Sequence, residues 1–245
     1  MSTLFTARVD RVQDLTHDVR LITLALKQPP DLPFVAGQFV SFAVPADGLP
    51  HGLTRPYSMA SAPRDRRRIE LLLNLVPNGP GSTWLFSQRE GDEVQFRGPA
   101  GTFVLRDYPD RPLLFVATGT GIAPIRSMLL ARLPGPTPVT LLWGLRSQRD
   151  LYFEDELAAL AARHANFSYT ITLSRPTTAA TVPWTGAQGR VQPLVERFLD
   201  LRGGRVDDLA VYVCGGSAMI RSVSDLVKAR GVCPIHREQY YKDAT

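Results

Sequence analysis

The sequence predicts a two-domain chain: an N-terminal antiparallel Greek-key β-barrel over residues 1–108, then an α/β domain with a five-stranded parallel sheet over residues 109–245. Three observations lead there. Short runs rich in β-formers, separated by Gly and Pro, fill the first part. Strand and helix periods alternate in the second. A glycine turn, Gly119-Thr120-Gly121, follows directly on the apolar run Leu113-Leu114-Phe115-Val116-Ala117, as where a buried strand turns into a helix. With 245 residues, 44% of them apolar, the chain can supply two cores of ordinary size.

In the first domain, residues 19–26 alternate in part and stop at Pro29-Pro30. Further strands are expected at 38–44, 69–76, 93–97 and 102–105. Residues 81–89 break the pattern and predict a short helix starting at Ser82 or Thr83. The stretch 107–111, with Pro109 between two Asp, reads as the hinge. In the second domain, the strand at 113–117 leads to a helix opened by Pro124, with Ile125, Met128, Leu129 and Leu133 on its apolar face. Strands at 139–143 and 167–173 flank a helix at 153–164 that buries Leu157, Leu160 and Ala161. A helix at 191–200, a strand at 209–214, a helix at 217–230 ended by Gly231, and a last strand at 234–237 complete the series.

Bulk properties exclude several classes. No apolar run reaches the ~18 residues of a membrane span, and the first residues lack the basic and apolar stretches of a secretory signal. A cytoplasmic monomer is expected. Cys214 and Cys233 are the only cysteines, too few for a cysteine-ligated iron–sulfur cluster. His17, His51, His164 and His236 are scattered and suggest no metal site. The net charge of +5 suits an acidic partner, but no basic run with interleaved aromatics points to nucleic acid. Arg64 and Arg66-Arg67-Arg68 read as a solvated turn.

Arg55-Pro56-Tyr57-Ser58 puts a cation, a ring and a hydroxyl within four residues, which suits a flavin and its pyrophosphate. Pro56 places that segment on a sheet edge or bulge. Gly81-Ser82-Thr83 offers amides and hydroxyls at a helix start, a second anion site. Two pyrophosphate-directed elements favour FAD over FMN. Gly119-Thr120-Gly121-Ile122-Ala123-Pro124 departs from the G-x-G-x-x-G fingerprint, because Pro124 stands at the third glycine. Cys214-Gly215-Gly216 ends another apolar run. Arg146 and Ser174-Arg175 follow the second and third strands of the sheet, and Arg190 lies in Gly189-Arg190-Val191. Cations and hydroxyls there favour the 2′-phosphate of NADPH over NADH.

At these motifs, in this order and over nearly the whole chain, the sequence resembles the ferredoxin–NADP reductase superfamily. The resemblance implies that Arg55 meets the flavin pyrophosphate, Tyr57 packs on the isoalloxazine and Ser58 lies near its reactive edge. It implies that Gly119, Thr120, Gly121 and Pro124 lie under the nucleotide pyrophosphate, with Gly215 and Gly216 at the same site. Cys214 is implied near the nicotinamide carbon that carries hydride, and Glu238 near its amide. Bacterial NADP-dependent relatives have arginines at the positions matching Arg146, Arg175 and Arg190. In the C-terminal stretch, either Tyr240 or Tyr241 matches an aromatic that covers the flavin, with a polar tail as the competing reading. The resemblance implies an FAD-containing reductase working between NADP(H) and a ferredoxin or flavodoxin. The alternatives are an NAD(P)H:flavin oxidoreductase and the reductase component of an oxygenase with a separate ferredoxin.

Overall fold

The computed structural model describes residues 3–45, 49, 52–176 and 183–241, the last of these by its backbone; His51 and residues 242–245 lie outside them. The chain divides into two compact units, Met1–Leu105 with Arg126–Ala131, and Arg106–Ile125 with Arg132–Thr245.

The first unit contains β1 (Thr3–Asp14), β2 (Val19–Gln28), β3 (Phe39–Val44), β4 (Leu53–Ser58), β5 (Arg68–Asn74), α1 (Pro80–Ser87) and β6 (Glu93–Ala100). The strands form one antiparallel sheet in the order β4-β3-β6-β1-β2-β5. It curls until Met59, one residue past β4, bridges Leu71 of β5 at the opposite edge. Side chains alternate across it: Phe5, Ala7 and Val9 of β1 and Val94 and Phe96 of β6 are buried, with polar residues between them. Phe5 stacks on Phe96 at 5.4 Å, and Phe42 touches Tyr57, Trp84 and Phe96.

Three sequence expectations change here. β1 was not foreseen, because Arg8, Asp10 and Arg11 make the segment look polar, although Arg8 and Asp10 only alternate with its buried side. Residues 102–105 form no strand: Gly101, at φ +105°, turns the chain, and the Leu105 N–H bonds the carbonyl of Ala36. α1 starts at Pro80, with proline in its first turn where a missing N–H costs nothing, and Gly79 as N-cap.

The second unit contains β7 (Leu113–Thr118), a 3₁₀ turn (Gly119–Gly121), β8 (Val139–Leu145), a 3₁₀ turn (Gln148–Asp150), α3 (Glu154–Arg163), β9 (Phe167–Leu173), β10 (Ala187–Gln188), α4 (Gln192–Leu201), β11 (Ala210–Gly216), α5 (Ser217–Lys228) and β12 (Ile235–Tyr241). α2 (Ile122–Arg132) starts in this unit, and its residues Arg126–Ala131 cluster with the first. The sheet is parallel, in the order β10-β9-β8-β7-β11-β12. Six strands replace the expected five, since the two-residue β10 is too short to show a period. β12 runs to Tyr241 rather than stopping near 237. Ala161 is half-buried, whereas Leu157 and Leu160 are buried.

On one face of this sheet Leu114, Val116, Val211 and Val213 pack with Val195, Leu199, Ile220, Val223 and Val227. The other face carries Phe115, Trp143, Tyr212 and Cys214, all without solvent exposure. The strand order reverses between β7 and β11, and ligands of doubly wound folds bind at the carboxyl ends beside such a reversal. No helix among the described residues is long and apolar enough to cross a membrane.

Candidate functional site

β4 is an edge strand, so Pro56 leaves no partner strand without a donor. Its half-buried Leu53, Arg55 and Tyr57 alternate with exposed Thr54 and Pro56, and therefore share a face. α1 is set against that face. A Cβ on Gly81 would lie 2.6 Å from the Tyr57 hydroxyl and 2.8 Å from Arg55 Cγ, so any larger residue would make those side chains give way. The structure thus brings Arg55, Tyr57 and Gly81 together. Strand alternation puts Ser58 on the opposite face, buried at the end of β4.

Ser82 plays a different part from the one expected. Its hydroxyl accepts the Val76 N–H at 3.0 Å and donates to the Gly79 carbonyl at 3.1 Å. It fastens the loop before α1, and offers a ligand its backbone rather than its hydroxyl. The Thr83 side chain is exposed, while its N–H bonds Gly79. A cation next to first-turn amides fits a pyrophosphate, and the open side of Tyr57 fits a planar ring system.

In the second unit the two glycine motifs interlock. A Cβ on Gly121 would run into the carbonyl of Cys214, and one on Gly215 into the Thr118 side chain. Gly119 is left-handed, at φ +52°, with nothing within 4 Å of where a Cβ would stand; Gly216 has the same open space at an ordinary φ of −71°. The result is a cradle lined by backbone, which fits a dinucleotide pyrophosphate. Pro124 lies in the first turn of α2, where its missing N–H breaks no helical bond.

The arginines converge through backbone pairing. The Arg175 N–H bonds the Arg146 carbonyl at 2.7 Å, and the Ser174 N–H bonds that of Leu145 at 3.0 Å. The Gly189 N–H bonds the Leu173 carbonyl at 2.8 Å, and the Thr172 hydroxyl donates to the Gly189 carbonyl at 2.8 Å, which brings Arg190 beside the end of β9. Ser174, Arg175 and Arg190 are exposed. Among the described residues no carboxylate pairs with Arg175 or Arg190. Arg146 does have one: its guanidinium donates to Asp150 at 3.0 Å, while Asp150 also caps the turn by accepting the Ser147 N–H and hydroxyl at 2.9 Å each. The sequence reading missed that acid, whose only cue was Ser147 three residues ahead in a capping pattern.

β12 carries the last residues. In register, Cys214 faces Glu238 and Tyr212 faces His236. Burial pushes the Cys214 thiol well above its ordinary range, and the Glu238 carboxylate adds to this; the nearby Tyr240 hydroxyl opposes it. Cys214 is therefore a neutral thiol, and the buried Tyr240 hydroxyl lies beside it. One layer below, His236 stacks on Tyr212 at 4.6 Å and meets the Tyr108 hydroxyl at 3.0 Å. Burial pushes Tyr212 up to about 12, and burial with nearby Arg106 pushes His236 down. Tyr240 is thus a strand residue beside Cys214, which removes the polar-tail reading at this position. The Tyr241 side chain lies outside the described residues.

Sequence reasoning also missed Trp143. At the end of β8, without solvent exposure, its indole N–H donates to the Gly119 carbonyl at 3.0 Å. The sequence placed it only within a strand, although a buried tryptophan N–H needs a partner.

Comparison with known proteins gives the domains and the family. The oxidoreductase FAD-binding domain matches residues 6–105, and the oxidoreductase NAD-binding domain matches residues 115–225. The chain is therefore an oxidoreductase with an FAD-binding and a nicotinamide-nucleotide-binding domain. Ferredoxin–NADP reductase B of Sorangium cellulosum (strain So ce56) is 36% identical over 244 residues, covering 96% of this chain and 97% of its own. The chain belongs to the ferredoxin–NADP reductase family. The toluate 1,2-dioxygenase electron transfer component of Pseudomonas putida is 34% identical over 233 residues, which are 94% of this chain and 65% of that protein. Among solved structures, the Amycolatopsis cytochrome P450 reductase GcoB superposes with a TM-score of 0.83 at 31% identity, over 98% of this chain and 71% of that one. A ferredoxin NADP+ reductase from Neisseria gonorrhoeae with bound FAD and NADP shares the fold, with a TM-score of 0.80 at 21% identity over 98% and 99% of the two chains.

Proposed function

We propose that this chain is an FAD-dependent reductase that takes hydride from NADPH and passes electrons singly to a ferredoxin or flavodoxin. The observation that carries this reading is the interlock of Gly121 with Cys214 and of Gly215 with Thr118. It puts a backbone cradle, a neutral thiol and the register partner Glu238 at one end of one sheet. Bound FAD would supply an acceptor for two electrons that can release them one at a time. The residues do the rest. Arg55 and the first turn of α1 hold negative charge, and Tyr57 gives the ring system a face. Ser58, buried at the end of the same strand, would supply a hydroxyl to the reacting edge from the other face. Gly119, Thr120, Gly121 and Gly216 let a pyrophosphate approach the backbone, and Cys214 gives the nicotinamide an uncharged contact. Glu238 accepts from its amide.

Arg175 and Arg190 support NADPH over NADH, being exposed cations without a described carboxylate partner; Arg146 contributes from its place on Asp150. The net charge of +5 favours an acidic protein partner. The test is steady-state reduction of a ferredoxin and a flavodoxin with each nucleotide. NADPH should exceed NADH in kcat/KM, and reduction of neither protein would refute the reading. A second reading is supply of electrons to an oxygenase, favoured by relatives such as the toluate dioxygenase component. With two cysteines in this chain, that role would need a separate iron–sulfur protein.

A further inference from the structure

We propose that Trp143 is a positioning residue for the nicotinamide nucleotide: its indole N–H fixes the peptide of the Gly119 turn on which the pyrophosphate rests. This rests on the reading of that turn as the nucleotide cradle, and it adds a residue that the motif itself does not contain.

Trp143 stands opposite Ala117 in the β7–β8 register, so its ring lies two residues from the turn. It has no solvent exposure and is braced edge-on by Tyr152 at 4.8 Å. Its N–H reaches the Gly119 carbonyl at 3.0 Å, and the same carbonyl also accepts the Ile122 N–H at the start of α2. Both lone pairs of that oxygen are therefore used. A peptide unit is planar and trans, so its C=O and the following N–H point in opposite directions. Holding the Gly119 carbonyl against the buried indole therefore aims the Thr120 amide away from it. Gly119 itself, at φ +52°, has low-cost alternatives open to it that other residues lack. A turn built on such a glycine needs an outside restraint to keep one conformation, and Trp143 supplies it. The restraint is mutual, because if the turn swung that carbonyl away the indole N–H would be buried and unpaired.

The test uses the FAD-loaded protein. Trp143→Phe removes the donor and keeps an aromatic filler. Replacement by 3-benzothienylalanine puts sulfur in place of the N–H at nearly constant shape, and serves if the Phe variant folds poorly. Equilibrium titration with NADP+ and NAD+ should show both Kd values rising about five- to tenfold, the size of one net hydrogen bond. Their ratio should be unchanged, KM should move more than kcat, and the FAD content should stay full. Unchanged Kd values, or a loss of FAD in parallel with affinity, would overturn the proposal and leave Trp143 as core. Gly216→Leu tests the underlying reading separately, because it fills the open cradle from an ordinary backbone conformation. If it leaves nucleotide binding intact, the cradle is misassigned and both readings fall. If it abolishes binding while the Trp143 variants bind normally, only the role of Trp143 fails.

Discussion

The flavin end and the nucleotide end are built from different parts of the chain. Around Gly81 the close neighbours are side chains, the Tyr57 hydroxyl and Arg55 Cγ and Cβ. Around Gly121 they are backbone, the Cys214 carbonyl and the Gly215 nitrogen. The Tyr57 hydroxyl is a side-chain tip that can swing aside, and Arg55 can follow with a smaller shift, whereas two parallel strands buried on both faces cannot move apart. On the proposed reading, the first unit specifies its ligand by residue identity on an edge strand. On the same reading, the second would specify it by the shape of interlocked turns, with the choice of nucleotide left to the arginines at the rim.

Gly121→Ala should break that comparison most forcefully. Its Cβ has only backbone to displace, so overpacking should cost about 2–3 kcal/mol, or roughly 5–10 °C in Tm for a chain of this size. Nucleotide binding should disappear while FAD stays bound, as read by thermal melts and titration. A variant with normal NADP+ affinity would show that the turns are not interlocked in the way described.

Arg175→Ala probes the rim. Charge-assisted bonds to a phosphate are worth roughly 1.5–3 kcal/mol, so kcat/KM with NADPH should fall about 10- to 100-fold. NADH kinetics should hardly change, and salt should weaken NADPH more than NADH. Equal loss with both nucleotides would make Arg175 structural. Gly81→Ala is the softer counterpart of Gly121→Ala. FAD affinity should drop about tenfold as Tyr57 and Arg55 give way, with Tm moving by only about 2 °C. A large Tm loss would mean that the flavin end is as rigid as the nucleotide end.

Ser58→Ala should slow flavin reduction in stopped flow about fivefold, one hydrogen bond's worth, with FAD affinity unchanged. An unaltered rate would remove Ser58 from the chemistry. The smallest effect concerns Cys214. Burial raises its thiol above the usual value of about 9, so the folded chain keeps a proton that the unfolded chain loses. Stability should be indifferent to this group below pH 9 and should fall as pH rises beyond it. Cys214→Ala should lessen that alkaline slope, and iodoacetamide should not modify Cys214 in the folded protein. Rapid alkylation at neutral pH would contradict its neutral, enclosed state.

The parallel sheet was legible because β7, β8 and β11 are apolar runs ended by glycine. β1 and the length of β12 were not. Arg8 and Asp10 alternate with the buried side of β1, and His236-Arg237-Glu238-Gln239 of β12 is held by backbone pairing to β11 rather than by apolar content. The site divides the same way. Glycines and arginines announce themselves by type and place. Trp143 and Asp150 look like an ordinary core residue and an ordinary acid until their partners, Gly119 and Arg146, are known. Ser82 shows the reverse: its hydroxyl at a helix start also serves its own loop, which residue type alone does not reveal.

A reductase of the proposed kind carries a flavin on the first unit and receives hydride from NADPH on the second. Anaerobic titration of the purified protein, followed by its visible spectrum, tests this most directly. The account predicts a yellow protein that releases FAD and no FMN on denaturation, bleached by one equivalent of NADPH and far more slowly by NADH. A colourless protein that takes up no FAD, or a bound flavin that NADPH does not reduce, would contradict it.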